Sequence, residues 1–306
     1  MTLAILFSGQ GSQKKAMGLD LYKSNQNIRS FYDSLDLYED IKEISFYGNE
    51  DTINQTKYTQ PIVVAFQLAL LKEIQNLQLP ISFTAGVSLG EYSALVAANM
   101  INQKDCMKLI EKRASYMSLA CKKHPSTMYA ILGSSIEEVK DHVEFLKKKN
   151  IKIEIANYNS TTEIVVGLKI EDQLNFENYM EEKNFLIKKL QVEGAFHTSL
   201  MNEAALLLKE DLKKVKFNKP SIDIALNYTG KLYKNEDMTE SLSNQVNHTT
   251  YFKNVLEEMG NSGIDKVIEV GYNNTIKKIM KRSHPNIEVI VVKDSKSLED
   301  LRNRTF

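Results

Sequence analysis

Short apolar runs alternate with longer segments of helical periodicity along most of the chain. The apolar runs predict strands at residues 3–7, 81–85, 222–226 and 266–270. The segments of helical periodicity predict helices at residues 61–75, 89–98, 104–122, 198–214, 251–259 and 273–281. Because strands that alternate with helices build βαβ units, this pattern predicts a mostly parallel sheet covered by helices.

The pattern changes in the middle of the chain. There it predicts strand, helix, two strands, helix and strand, at residues 128–132, 135–148, 151–156, 163–167, 171–182 and 186–190. This βαββαβ order is typical of the ferredoxin-like fold. The sequence therefore predicts an α/β protein in which residues 1–126 and 191–306 form a large α/β-hydrolase-like domain and residues 127–190 form a small inserted ferredoxin-like subdomain. We expect the functional site in the cleft between them.

Composition and charge narrow the class of function. The chain has 306 residues, of which 42% are hydrophobic and 25% charged, as is typical of a globular protein with one large core and a small inserted domain. Acidic and basic residues number 39 each. This balance gives no reason to expect nucleic acid or a membrane as a partner.

The cysteines and the N-terminal segment favour a cytoplasmic location. Cys106 and Cys121 are the only cysteines, and their spacing argues against a disulfide framework or a metal cluster. The apolar segment at residues 3–7 is too short for a signal peptide, and no apolar run approaches the roughly 20 residues that cross a bilayer. We therefore expect a cytoplasmic protein with no metal site.

A Gly-x-Ser-x-Gly motif, Gly86 to Gly90, lies between a predicted strand and a predicted helix. A serine between two glycines at such a junction can occupy a tight elbow that exposes its Oγ above a sheet. Ser88 is therefore the candidate nucleophile of a covalent acyl-enzyme. The alternative is an ordinary serine that caps the following helix.

A serine nucleophile needs a base, and histidine is the usual base at neutral pH. The chain has five histidines. His197 follows the return from the small subdomain, in a strand-to-helix loop where catalytic residues are often found, whereas the others lie in lysine-rich or polar surroundings. We predict a dyad of Ser88 and His197, with a structural loop histidine as the alternative.

The glycine-rich turn after the first predicted strand contains Gly9 and Gly11. Glycines there let the backbone approach a ligand, so the main-chain N–H of Gln10 could join that of Leu89 in an oxyanion hole. Such a turn could also cradle a phosphate. Nucleotide binding is disfavoured, because the chain has neither a Gly-x-Gly-x-x-Gly nor a Walker spacing here.

Arginine is scarce in this lysine-biased chain, and Arg113 is the only arginine between residues 30 and 281. A planar guanidinium on the helix after the nucleophile could grip a carboxylate with two hydrogen bonds. The alternative is a surface or ion-paired arginine.

Several motifs together resemble the malonyl-CoA:acyl carrier protein transacylase family, in the family's order and over nearly the whole chain. They are residues 7–13, 58–61, 86–95, 112–117, 156–159 and 194–201. The resemblance implies a Ser88 that accepts malonyl from coenzyme A, a His197 that acts as base and acid, and an Arg113 that binds the malonyl carboxylate. It implies an oxyanion hole at the N–H groups of Gln10 and Leu89.

The resemblance also implies that Gln60 and Asn159 line the pocket and that a main-chain carbonyl near residues 248–251 orients the histidine. The implied partners are malonyl-CoA and an acyl carrier protein, with coenzyme A thioester as substrate, no separate cofactor and a monomeric enzyme. Basic clusters at residues 147–149, 188–189 and 277–282 are candidate docking sites for an acidic carrier, and the alternative is that they are solvated faces.

The chain departs from the family pattern at Val87, at Ser8 and at residues 271–274, where a Gly-Pro-Gly turn is usual. Two other classes of function stay open. A serine hydrolase or editing thioesterase would pass the acyl group to water, and a noncatalytic scaffold would not be acylated. The choice between fatty acid and polyketide synthesis also stays open.

Overall fold

The computed structural model describes residues 2–305, and its strands form two sheets. Along the chain the strands are β1 (Leu3–Phe7), β2 (Ile81–Gly86), β3 (Ser126–Leu132), β4 (Ile153–Ser160), β5 (Glu163–Lys169), β6 (Leu186–Lys189), β7 (Asp223–Leu226), β8 (Lys231–Leu232), β9 (Lys266–Val270) and β10 (Glu288–Val292). The larger sheet has the order β10-β9-β1-β2-β7-β8. Its strands are parallel except β8, which pairs with β7 in the antiparallel direction. The predicted mostly parallel sheet is therefore confirmed.

Fourteen α-helices within residues 2–305 surround these sheets. They are α1 (Leu19–Ser24), α2 (Gln26–Asp33), α3 (Ile41–Tyr47), α4 (Glu50–Ile53), α5 (Thr56–Gln75), α6 (Gly90–Ala97), α7 (Gln103–Lys123), α8 (Ile136–Lys148), α9 (Gln173–Glu182), α10 (Asn202–Leu212), α11 (Met238–Asn247), α12 (Phe252–Asn261), α13 (Thr275–Ser283) and α14 (Ser295–Arg302). The sequence pattern did not predict α1 to α4, α11 or α14, nor strands β8 and β10. The predicted helix at 198–214 is shorter, because a 3₁₀ turn at Ser199–Met201 precedes α10.

The smaller sheet is antiparallel and has the order β4-β5-β3-β6. With α8 and α9 it forms the βαββαβ arrangement of a ferredoxin-like subdomain, as the sequence predicted. Its buried residues form a hydrophobic cluster of their own. The division into domains at residues 127 and 190 stays a prediction.

The parallel pairing brings several strand ends to one edge of the larger sheet. Phe7, the last residue of β1, is in register with Gly86 of β2 and with Val270 of β9. All five residues of β1 are buried, as expected for a parallel strand covered on both faces. Loops that follow the carboxyl ends of neighbouring parallel strands meet at the same edge, and the candidate site lies there.

Candidate active site

The serine of the Gly-x-Ser-x-Gly motif occupies the predicted elbow between β2 and α6. Ser88 has a φ of 49°, in the left-handed region. The side chain of Asn227, which follows β7, fixes both sides of this turn, since its Oδ1 accepts the N–H of Ser88 at 2.8 Å and its Nδ2 donates to the carbonyl of Gly86 at 2.7 Å. A strained conformation persists where surrounding bonds determine it in this way.

The predicted pair of serine and histidine is in contact. Ser88 Oγ lies 2.7 Å from His197 Nε2. The other ring nitrogen, Nδ1, donates to the main-chain carbonyl of Gln245 at 2.5 Å. A neutral imidazole that donates from Nδ1 has its lone pair on Nε2, so the serine hydroxyl donates to His197.

The histidine is held in its neutral form. Burial of the ring, with a smaller contribution from the positive charge of Arg113, lowers the pKa of His197 to about 4, while the Gln245 carbonyl opposes the shift. His197 is only 4% exposed. It can therefore accept a proton from Ser88 at neutral pH.

One expectation about this histidine is wrong. The carbonyl that orients His197 belongs to Gln245, not to residues 248–251. Gln245 lies in the last turn of α11, where carbonyl groups have no partner within the helix and are free to accept other donors. The resemblance implied a carbonyl near residues 248–251, and because the sequence pattern did not predict α11, nothing in it indicated Gln245.

The proposed oxyanion donors, Gln10 and Leu89, both border the same cavity as Ser88. Within residues 2–305, neither of their main-chain N–H groups has a hydrogen-bond acceptor. Leu89 also immediately precedes α6, so its N–H lies at the positive end of that helix. Both groups are available to an oxygen anion beside Ser88.

Arg113 lines the cavity and is buried, with 1% of its surface exposed. Its Nη1 donates to Gln60 Oε1 at 2.7 Å, and its Nη2 donates to Gln245 Oε1 at 3.0 Å and to Ser88 Oγ at 3.4 Å. The guanidinium also lies 5.6 Å from the centre of the Tyr92 ring. No carboxylate within residues 2–305 forms an ion pair with Arg113, so the alternative of a surface or ion-paired arginine does not hold.

The cavity has a volume of about 210 Å³ and receives side chains from both subdomains. Asn159 of β4 lines it, as predicted, and donates to Glu163 at 3.1 Å. Gln60 does not line it. Its side chain is fully buried behind Arg113, so its contact is with the guanidinium and not with the cavity.

Three polar residues behind the serine, Glu91, Asn227 and Gln245, were not predicted from the sequence. Gln245 Nε2 donates to the main-chain carbonyl of Ser88 at 2.9 Å and to Glu91 Oε2 at 3.0 Å. Glu91 Oε2 also accepts the N–H of Asn227 at 2.9 Å. Burial raises the pKa of Glu91 to about 7. Glu91 immediately follows the serine motif and could have been noticed, whereas nothing in the sequence singles out Gln245 or Asn227.

The departures from the family pattern form two contacts near the oxyanion turn. Ser8 Oγ donates to the buried carboxylate of Glu269 at 2.9 Å, and Glu269 also accepts main-chain N–H groups at the start of α13. Asn273 Nδ2 donates to the carbonyl of Gly11 at 2.5 Å. The altered turn at 271–274 is therefore bonded to the loop that carries Gln10.

The part of the chain that the structure describes has neither a metal-binding cluster nor a membrane-spanning helix. No three His, Cys, Asp or Glu side chains there cluster closely enough to hold a metal ion. None of the helices there has the length and apolar character needed for a membrane crossing.

Comparisons with known proteins agree on one family. The Acyl transferase domain family matches residues 5–298. The polyketide biosynthesis malonyl CoA-acyl carrier protein transacylase PksC of Bacillus subtilis is 31% identical over 293 residues, or 94% of this chain and 99% of that protein. The crystal structure of malonyl CoA-acyl carrier protein transacylase from Clostridium perfringens is 31% identical, with a TM-score of 0.92 over 98% of this chain and 96% of that one.

A third match is a complex. The structure of PlMCAT with AntF, described as a type II PKS acyl-carrier protein in complex with its malonyl-transacylase, is 26% identical, with a TM-score of 0.92 over 98% of both chains.

Proposed function

Since the chain belongs to the acyl transferase domain family, as the resemblance in its sequence predicted, we propose that it moves a malonyl group from coenzyme A to the phosphopantetheine thiol of an acyl carrier protein. One observation carries the proposal. The hydroxyl of Ser88 lies 2.7 Å from a neutral imidazole and 3.4 Å from a buried guanidinium that has no carboxylate partner within residues 2–305. A nucleophile and a buried cation suited to a carboxylate therefore line one cavity.

In the first half-reaction, Ser88 Oγ attacks the thioester carbonyl of malonyl-CoA while His197 Nε2 accepts the hydroxyl proton. The carbonyl oxygen becomes an anion, and the N–H groups of Gln10 and Leu89, which border the cavity, stabilise it. As the tetrahedral intermediate collapses, the carbon–sulfur bond breaks and His197 gives its proton to the coenzyme A sulfur. The product is a malonyl ester of Ser88.

The second half-reaction reverses these steps with a different thiol. The phosphopantetheine thiol of the carrier gives its proton to His197 and attacks the ester carbonyl. The same two N–H groups stabilise the anion. As the intermediate collapses, the carbon–oxygen bond to Ser88 breaks, His197 returns the proton to Ser88 Oγ, and malonyl is left as a thioester on the carrier. The two half-reactions share one intermediate, which gives ping-pong kinetics.

Arg113 provides selectivity for the acyl group. A malonyl carboxylate beside Ser88 can accept two hydrogen bonds from the guanidinium, which is already fixed by Gln60 and Gln245. An acyl group without a carboxylate would leave this buried charge without an anion, which costs binding energy. We propose on this ground that malonyl is favoured over acetyl.

We further propose that the enzyme acts as a cytoplasmic monomer. Its two cysteines, Cys106 and Cys121, are free and buried, which fits a reducing compartment. Sedimentation of the purified protein tests the monomer, and a fluorescent fusion in cells tests the compartment. The pathway that the carrier serves stays open between fatty acid and polyketide synthesis.

The experiment that tests the proposed function is rapid mixing of the protein with malonyl-CoA, followed by mass spectrometry of its peptides. We expect a malonyl adduct on the peptide that contains Ser88, absent in Ser88→Ala, and transfer of that group to added holo-carrier faster than malonate is released. Release to water at the same rate with and without the carrier would favour the hydrolase. A wild-type protein that is never acylated would indicate a scaffold.

A further inference from the structure

Behind the catalytic elbow lies a carboxyl group that the proposed mechanism does not use. Glu91, in the first turn of α6, is fully buried and does not line the cavity. It cannot touch the substrate. Its hydrogen bonds connect it instead, through Asn227 and Gln245, to Ser88 and Arg113, which line the cavity.

Both hydrogen bonds of this carboxyl group fall on one oxygen. Oε2 accepts the N–H of Asn227 at 2.9 Å and an Nε2 hydrogen of Gln245 at 3.0 Å. Asn227 fixes the elbow through Ser88 and Gly86. Glu91 therefore joins the loop after β7, which holds the serine, to α11, which supports the histidine and the arginine.

The important partner is the side-chain amide of Gln245, because its orientation is not fixed by shape. An amide presents either its oxygen or its NH₂ group to a neighbour, and the two are nearly equal in size. Here the NH₂ group donates to Glu91 Oε2 and to the main-chain carbonyl of Ser88, so the oxygen faces Arg113 Nη2 at 3.0 Å. The opposite orientation would direct an NH₂ group at a guanidinium, which has only donors.

We propose that Glu91 is a positioning residue that fixes the amide of Gln245 and, through it, aims the guanidinium of Arg113 at the acyl carboxylate. The inference rests on the proposed function, in which Arg113 recognises malonyl. It assigns the selectivity of the site in part to a residue that never contacts the substrate.

What the role requires is an acceptor at the position of Oε2. The second oxygen, Oε1, is buried and has no hydrogen-bond partner within residues 2–305. Burial raises the pKa of Glu91 to about 7, and Oε1 can carry the proton without loss of either bond at Oε2. Glutamine can therefore substitute, with its carbonyl oxygen at the position of Oε2, whereas alanine cannot.

The test is the ratio of kcat/KM for malonyl-CoA to kcat/KM for acetyl-CoA. This ratio does not depend on the concentration of folded enzyme, so a variant that is only less stable leaves it unchanged. We expect Glu91→Ala to lower the ratio about tenfold, as for loss of one well-aligned hydrogen bond to a charged group, and Glu91→Gln to keep it within about threefold of wild type.

The matched control is Glu73→Ala. Glu73 is another buried carboxylate, 3% exposed, that binds Asn25, Asn27 and Arg302 away from the cavity. We expect this variant to lose stability and to keep the wild-type ratio. If Glu91→Ala does not fold, Glu91→Asp tests whether an acceptor is needed at the position of Oε2. Aspartate keeps the carboxyl group, but its side chain is one methylene shorter, so its oxygens do not reach that position.

The outcomes separate this inference from the proposed function. A folded Glu91→Ala or Glu91→Asp variant with the wild-type ratio would overturn it, and so would a Glu91→Gln variant that loses as much as alanine. Both results leave malonyl transfer by the wild type intact. A wild-type enzyme that shows no preference for malonyl overturns the role of Arg113 and this inference with it.

Discussion

At the scale of single residues, burial gives His197 the properties of a base that stays neutral across the physiological range. An exposed imidazole is half protonated near pH 6.5, whereas the pKa of His197 is lowered to about 4, first by burial and then by the charge of Arg113. The Ser88 hydroxyl therefore keeps its acceptor in mildly acidic solution. A free imidazole would lose that function in the same range.

The pH dependence of Ser88 reactivity tests this shift. We expect the rate of Ser88 modification by a sulfonyl fluoride to fall as the pH drops through about 4, because only neutral His197 accepts the serine proton. In Arg113→Gln the neighbouring charge is gone, so the midpoint should rise toward 6.5. A wild-type midpoint already near 6.5 would contradict the prediction. A reagent of this kind avoids the titration of the malonyl carboxylate itself.

Arg113 is the residue that we propose recognises the acyl group through its carboxylate. We expect Arg113→Gln to lower kcat/KM for malonyl-CoA by about 10- to 100-fold, since a hydrogen bond to a charged group contributes roughly 1.5–3 kcal/mol. Activity with acetyl-CoA should fall far less. Arg113→Lys keeps the charge but cannot contact Gln60 and Gln245 at once, so an intermediate loss is expected. An unchanged malonyl-to-acetyl ratio in both variants would rule out carboxylate recognition by Arg113.

At the scale of helices and strands, the sequence predicted the elements whose hydrophobic pattern or motif lies within the element itself. Strands β1 and β2 are short apolar runs, and the Ser88 elbow combines a motif with a strand and a helix, so both were predictable. Strand β10 is also a short apolar run, but it was not predicted. Helix α11 was not. Its sequence, MTESLSNQVN, has few large apolar residues, and the contacts that stabilise it come from distant parts of the chain. The support that α11 gives to His197 and Arg113 was missed for the same reason.

The junction of β1, β2 and α6 depends on close packing of backbone against backbone. A Cβ atom added at Gly90 would lie 2.2 Å from the carbonyl oxygen of Phe7, and no flexible side chain is there to move. We expect Gly90→Ala to displace α6 from β1 and to lower the free energy of unfolding by about 3 kcal/mol. Urea unfolding followed by circular dichroism measures the change.

Gly133→Ala is the matched control for this substitution. A Cβ atom there meets nothing within 4 Å, although Gly133 has a φ of 84°. Its cost should therefore be the backbone strain alone, about 1–2 kcal/mol. Equal losses in the two variants would show that steric contact with β1 is not what Gly90 avoids.

At the scale of the whole molecule, α13 extends from the cavity to the molecular surface and contacts both the large domain and the small subdomain. Thr275, its first residue, lines the cavity, and Arg282 near its other end forms an ion pair with Glu163 of β5 at 3.4 Å. The buried face of α13 packs into the larger domain. Its outer face carries the exposed side chains of Lys277, Lys278, Lys281 and Arg282. A basic surface thus begins at the rim of the cavity.

This position distinguishes the candidate docking clusters for an acidic carrier. Lys147, at the end of α8, borders a different cavity from the one that contains Ser88. The pair at residues 188–189 borders a cavity that shares Gln10 with the Ser88 cavity, but it has two basic side chains against four on α13, and Lys189 donates to Gln173. Lys278 and Lys281 form no ion pair within residues 2–305. We therefore predict that the carrier docks on the basic face of α13.

Charge reversal on this face should affect only the second half-reaction. We expect Lys278→Glu combined with Lys281→Glu to raise the KM for holo-carrier about tenfold at low salt, since complementary charges steer a partner into its site. The rate at which malonyl-CoA acylates Ser88 should not change. The matched control reverses two exposed charges of the cluster on α8, Lys147→Glu combined with Lys148→Glu. It should leave the rates of both half-reactions as in wild type. A carrier reaction that responds to the α8 pair, or that is insensitive to salt in the wild type, would place docking elsewhere.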